Sequence, residues 1–350
     1  MNTPFYHRHV QPISRQHSAY TTRPRPYTDR ATDTLNPLLR LLGIIVLCAS
    51  ASAWAGGHAY ITNQGSDSVS VVDVTNHKVI ATIGVGKAPV GVAVSARLGR
   101  VFVSNVEDQS LSVIDSNTQR VISTIAIKGA PVGVALSADH SQVFVANWFD
   151  DQVLRFDSAS LQPLGSLSVG KAPAGMIASP DGQWLYVANR DSNDVAVIST
   201  KDWNISARVP VGAHPFGLTL RRDGKQLYSV NVYDNSLTII DTASLQTSSV
   251  KVGEHPYCVA LSPDQRRLFV TNTQGDNVTV IDVASRQVLT SIDVGGYPEG
   301  ISASDQHIFV ANWFDDTVTV IDPDTLTVIS TIRTGKQSRA FGQFIDPSLP

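Results

Sequence analysis

The chain has 350 residues, a formal net charge of −3, only 16% charged residues and 7% aromatics. That balance lacks the basic footprint of a protein that neutralises phosphates. The length is large for one ordinary domain but suits a single unit built from repeats.

Residues 1–37 are polar, basic and proline-rich, with no periodicity. LLRLLGIIVLCASASAWAGG follows, with a short apolar core that ends in Ala53-Trp54-Ala55. The small residues around Trp54 match a signal-peptidase site, so the sequence predicts a leader over 1–55, cut after Ala55, and export to the periplasm. The apolar run is too short for a stable spanning helix, and no membrane insertion is expected after cleavage. The long polar lead is also explained if translation begins near Leu35. A lipid on Cys48 fits less well, because Leu47 is bulky for a lipid-modification site. Residues 1–55 carry six Arg and two Asp, leaving 21 basic and 28 acidic residues and a net charge of −7. Nucleic acid is therefore disfavoured as a partner. Cys258 is the one cysteine beyond the leader, so no internal disulfide can form there.

From His58 onward an Asn ends the first hydrophobic run of each repeat: Asn63, Asn105, Asn147, Asn189, Asn231, Asn272 and Asn312, at spacings of 42, 42, 42, 42, 41 and 40. Ten positions later stands Asp73, Asp115, Asp157, Asp241, Asp282 or Asp322, with Ser199 in the fourth repeat. A connector Pro recurs at Pro89, Pro131, Pro173, Pro215, Pro256 and Pro298, and Ser338 replaces it at the end. Seven copies of such a period mean a repeat architecture. Within one copy, LFV (268–270), VTVID (278–282), VLTSIDV (288–294) and GISAS (300–304) read as four short strands separated by Gly, Asp, Asn and Pro turns. Four antiparallel strands without an amphipathic helix make one propeller blade, which must stack on neighbours to bury its faces. The first copy opens at HAYITN, a second strand, and the chain ends in RAFGQFI (339–345), which aligns with an inner strand. The expectation is an all-β, seven-bladed β-propeller over 56–350, closed by the C-terminal strand joining the first blade.

VTN at 270–272, VAN at 145–147, 187–189 and 310–312, and SVIDSNTQRVISTI at 112–125 resemble the YVTN-type β-propeller repeat family. The resemblance covers the chain after about residue 58 and implies the fold; that family hosts many functions. It also implies that the connectors and middle hairpin turns share one face, around an axial funnel.

No CxxCH, HExxH, GxSxG, P-loop or dinucleotide fingerprint occurs, so no cofactor is assigned. Candidates come instead from positions that break the repeat. Residues flanking the first three connector prolines are Ala or Val. The next four pairs are His214/Phe216, His255/Tyr257, Tyr297/Glu299 and Gln337/Arg339. Two residues past the Pro a small residue is expected where inner strands crowd the axis; Cys258 and Ala340 take the place of Gly there. The middle turns NWFDDQV (147–153) and NWFDDTV (312–318) add Trp148, Phe149, Trp313 and Phe314, where other turns are polar. Each feature has a plain alternative: drift on a surface loop for the connectors, and indole packing on the next blade for the turns. A metal site would use His214 and His255 with Glu299 or Cys258. An organic ligand or peptide would use the aromatics, with Arg339 and Glu299 as polar anchors. Replacing His214, His255 and Arg339 by Ala is expected to spare stability and abolish binding. The repeated Asp and Asn are read as turn residues.

Two functions follow. One is a monomeric periplasmic binding propeller that holds a protein, peptide or small molecule in the funnel. The other is a propeller enzyme of the quinone-linked dehydrogenase, lyase or lactonase type. In it His214 or His255 would serve as acid or base, Tyr257 or Tyr297 as proton donor, and Arg339 as anion clamp.

Overall fold

Two runs of each repeat are apolar at nearly every position and a third alternates, and the ring explains the difference. The computed structural model describes residues 57–345; the expected leader over 1–55 and residue 56, with residues 346–350, lie outside the described residues. In the first blade β1 (His58–Asn63) and β2 (Ser68–Asp73) are buried on both faces, and β3 (Lys78–Gly84) alternates on the outer edge. The next inner strand, β4 (Pro89–Ser95), is buried at every residue. A strand covered by blades on both sides cannot show polar alternation, whereas an edge strand can.

Six blades are four-stranded antiparallel sheets in simple meander order, and the first is a three-stranded sheet of β1, β2 and β3. The C-terminal segment supplies its fourth strand through isolated bridges, Ala59 with Ile345 and Asn63 with Ser338. Tyr60 N donates to Phe344 O at 2.9 Å, and Arg339 N donates to Thr62 O at 2.8 Å. On its other side the segment runs parallel to β4, where Val92 N donates to Phe341 O at 2.8 Å. The ring is a seven-bladed β-propeller closed as the repeat pattern predicts. Two short 3₁₀ turns interrupt the strands, Gln64–Ser66 and Arg190–Ser192. No helix among the described residues is long and apolar enough to cross a membrane.

The repeated polar residues are structural. Asn63 Nδ2 donates to Ser68 and Ser70, and Asn231 Nδ2 to Ser236 and Thr238, all inside the sheet. Asp115 accepts from the backbone N–H of Asn117 and Thr118, and Asp322 from that of Asp324 and Thr325. Backbone donation holds Asp115, Asp157, Asp241, Asp282 and Asp322 below the usual carboxylate range. Ser199 Oγ accepts from Asp202 N at 3.1 Å, so the exception keeps the turn.

Six inner strands share a register shift against the second strand of their blade, between the connector Pro and the third residue beyond it. The bulge takes the two intervening residues out of the ladder and brings them to the axis. A Cβ on Gly91 would lie 2.0 Å from Val132 O of the next inner strand, so the crowding read from the small position is real.

Candidate functional site

The connectors reach the funnel in a strained but repeated conformation. His214, His255, Tyr297 and Gln337 have φ of 57°, 51°, 56° and 56°. Each backbone N–H is held by the preceding blade's middle turn, through Asn193, Asn235, Asp276 and Asp316. Ala88 and Ala172 have the same geometry, with Asp67 and Asp151 as acceptors. The left-handed backbone thus recurs in both halves of the ring, with Ala130 the exception: there Gly129 takes the positive φ and Ala130 N donates to Asn147 Oδ1.

The bulges place Phe216, Tyr257 and Glu299 on the funnel floor, and the closing segment brings Arg339 beside them. Arg339 Nε lies 2.6 Å from Glu299 Oε2, a charge contact rather than a well-directed hydrogen bond. Its two terminal nitrogens donate to Tyr257 Oη at 2.6 Å and Gln64 Oε1 at 3.0 Å. Glu299 is 3% exposed. Burial pushes its carboxyl up to about 7, against the pull of Arg339. Burial also works against the Arg339 charge, but Glu299 and Tyr257 more than offset it and hold the guanidinium above its ordinary value. Burial likewise raises the Tyr257 phenol. Phe216 packs at a tilt against Tyr257 (ring centroids 4.1 Å apart) and Phe341 (4.8 Å), so the aromatic floor is packed.

The rim carries two aromatic groups. In one, Tyr233 lies 4.2 Å from His214 and 5.7 Å from His255, centroid to centroid. The Arg190 guanidinium sits between Tyr233 and Trp148, at 5.8 and 5.6 Å from their rings. Burial, then Arg190, lowers His214 below the usual imidazole value, opposed by Asp191 and Asp234. In the other group Tyr297, Trp313 and Phe314 touch one another at 4.9–5.7 Å.

The predicted residues thus share one face, but their roles divide. Trp148 packs on Phe216 at 5.9 Å, and Trp313 Nε1 donates to Gln64 Oε1 at 3.1 Å, so both indoles serve as packing. Phe149 and Phe314 point outward, 69% and 65% exposed. The two WF turns, far apart around the ring, are joined across the floor by Phe216, Tyr257, Arg339 and Gln64. Cys258 occupies the axial small position and is buried; burial, then Glu299, raises its thiol well above the ordinary value, which favours the protonated form. The metal alternative loses its geometry. Tyr233 contacts both imidazoles, Glu299 is tied to Arg339, and no group of three His, Cys, Asp or Glu among the described residues is placed to hold a metal. Arg339 is also structural, so its replacement by Ala cannot be expected to spare stability.

Sequence reasoning missed Gln64, Arg190, Tyr233 and Phe341. Tyr233 stands two residues after Asn231, the offset of Phe149 from Asn147 and Phe314 from Asn312, and that offset was the available signal. Separately, an axial cavity of about 270 Å³ is lined by Leu218, Val259, Ile301 and Phe341, with Arg222 and Gln265. Of the predicted site residues it touches Cys258 alone.

The family model described as lactonase, 7-bladed beta-propeller, matches residues 116–204. A comparison with curated proteins returns no significant match. Among solved structures, hydrazine synthase of Kuenenia stuttgartiensis is similar at 20% identity and a TM-score of 0.69, over 76% of this chain and 92% of that one. A functionally unknown protein from Desulfotomaculum acetoxidans is similar at 14% identity and 0.69, over 81% and 99%. Dihydro-heme d1 dehydrogenase NirN in complex with DHE is similar at 16% identity and 0.62, over 79% of this chain and 63% of that one. At these identities the structural likeness carries the fold, and the chain stands within the β-propellers.

Proposed function

We propose that the chain is an exported binding propeller of the YVTN type, whose connector face takes a partner protein or peptide on its aromatic rim. The observation that carries this reading is the exposure of Phe149, Tyr233 and Phe314, at 69%, 52% and 65%, from one repeat position in three blades. They stand over a floor whose charged groups already bond one another. Exposed aromatics above a satisfied floor offer contact area, the usual anchor of an interface. On this reading the leader expected over 1–55 directs the protein to the periplasm, and a monomer presents the rim.

A second reading, a propeller enzyme, draws on the lactonase family match and on the enzymes among the similar structures. Glu299, with its carboxyl near 7 in a dry site, is the group such chemistry would use as acid or base. Its engagement with Arg339 weighs against that role.

The test is a photo-cross-linking amino acid placed in turn at Phe149, Tyr233 and Phe314, with Ile80 and Ile122 on outer strands as exposed controls. The binding reading expects one common adduct from the three turns and none from the controls. Equal adducts at all five positions would overturn it. No adduct, together with a lactone hydrolysis lost in Glu299→Gln, would establish the enzyme instead.

A further inference from the structure

Fourteen residues after each repeat Asn stands a residue with left-handed backbone: His77, Gln119, Leu161, Trp203, Leu245, Arg286 and Leu326, with φ between 50° and 63°. Three residues before each Asn stands a core aromatic: Tyr60, Phe102, Phe144, Tyr186, Tyr228, Phe269 and Phe309. The first set locks each blade onto the one before it, in six cases at that blade's aromatic; Arg286 instead donates to Ser248 of the preceding blade at 3.0 Å. Trp203 stacks on Phe144 at 5.8 Å and 16°. Gln119 Nε2 donates to Tyr60 Oη at 3.4 Å. Leu161, Leu245 and Leu326 pack in the clusters of Phe102, Tyr186 and Phe269.

At the closing seam, between blade 7 and β1–β3, the lock is a histidine. His77 lies edge-on to Phe309 of blade 7, centroids 5.9 Å apart, and to His307 of the same blade, 5.2 Å apart. Its Nε2 is buried without a hydrogen-bond partner. Asp73 faces His77 from its own turn, with His58 opposite Asp73 in the β1–β2 pairing. From blade 7, Asp322 faces His307, and Asp305 lies in the turn that carries it. The Asp73 carboxylate is occupied by Thr75 and Asn76, which limits what it offers a charged imidazole.

We propose that this seam is an acid-sensitive latch: protonation of His77 against His307 weakens the docking of β1–β3 on blade 7. Protonation charges a half-buried ring, places like charges in contact and leaves the buried Nε2–H without an acceptor. Burial, then His307, lowers His77 below the usual 6.5, opposed by Asp73. A histidine lowered in the fold gives stability that is fully present above about 6.5 and is lost as pH falls through the folded value. The other lock residues are apolar or polar groups that do not titrate between pH 5 and 8, which sets the closing seam apart within the lock series; His140, bonded to Ser95 of the preceding blade, lies outside that series. That seam holds β1, whose Tyr60 N–H and Thr62 C=O pair with the closing strand, and that strand carries Arg339 and Phe341 to the funnel floor. The consequence for binding rests on the functional reading above; the latch itself does not.

Amide hydrogen exchange of the full chain at pH 7.5 and 5.0, corrected for intrinsic rates, tests the latch. Protection in β1 and in residues 339–345 should fall on acidification, by up to about tenfold per pH unit for one histidine. The strand Trp184–Asn189 in blade 4 should hold its protection. His77→Leu installs the residue used in blades 3, 5 and 7 and should abolish most of the fall while matching the wild type at pH 7.5. His307→Gln, as in blades 3 and 5, removes the second charge independently and should shrink the fall as well. An equal loss in both variants, or a loss spread evenly round the ring, overturns the latch whether or not the rim binds a partner.

Discussion

Arg339 and Glu299 are 40 residues apart in the chain, and only the ring closure brings them together. Removing Arg339 leaves a nearly buried carboxyl without its counter-charge, so Arg339→Ala should cost about 3–5 kcal/mol in urea unfolding. Phe149→Ser, on the exposed rim, should change stability by less than about 0.5 kcal/mol. Glu299 also sets a pH dependence of known sign. Its folded value, about 7, lies above the ordinary 4.5, so its contribution is fully present below 4.5 and is lost as pH rises through 7. Glu299→Gln should flatten that part of the stability curve, and an unchanged slope between pH 5 and 8 would contradict the assignment. This slope opposes the one set by His77, which is why each must be read against its own variant. The pairing was not legible in the sequence, because neither the bulge that aims Glu299 inward nor the docking of the closing segment that carries Arg339 leaves a mark in residue order. Tyr233 was legible, since its offset from Asn231 repeats that of Phe149 and Phe314, but Val232 in place of Trp hid it.

At the scale of the strand, close approach between inner strands decides which positions tolerate a side chain. Gly91 faces Val132 O, whereas Gly84, on the outer strand β3, has nothing within 4 Å of the place its Cβ would take. Gly91→Ala should therefore destabilise by about 1–3 kcal/mol through overpacking against backbone, and Gly84→Ala should be neutral within about 0.5 kcal/mol. Similar midpoints for both variants would show that the axis is looser than the structure indicates. Strand positions, turns and the small axial residue were readable because each recurs seven times, and repetition separates what the fold needs from what one blade adds. Asp67, Asp151, Asn193 and their counterparts, which hold the connector N–H groups, were visible as turn residues, but their reach to the next blade was not. That contact spans 20 or 21 residues and depends on how blades stack.

The whole ring divides its two halves unequally. One half shows Ala and Val at its connectors, while the other shows His, Tyr, Glu and Arg; of the exposed turn aromatics, Tyr233 and Phe314 lie in the second half and Phe149 in the first. An even ring would need no such asymmetry for stability, and the axial cavity on the inner strands takes almost none of these residues. The connector face is therefore the proposed working surface. The most direct test is native and denaturing mass spectrometry on protein recovered from its own compartment, for the wild type and for a variant carrying Phe149→Ser, Tyr233→Ser and Phe314→Ser. The account predicts an excess native mass in the wild type that vanishes on denaturation and is missing from the variant, with both proteins folded alike. An excess that the variant retains, or no excess in either, would contradict it.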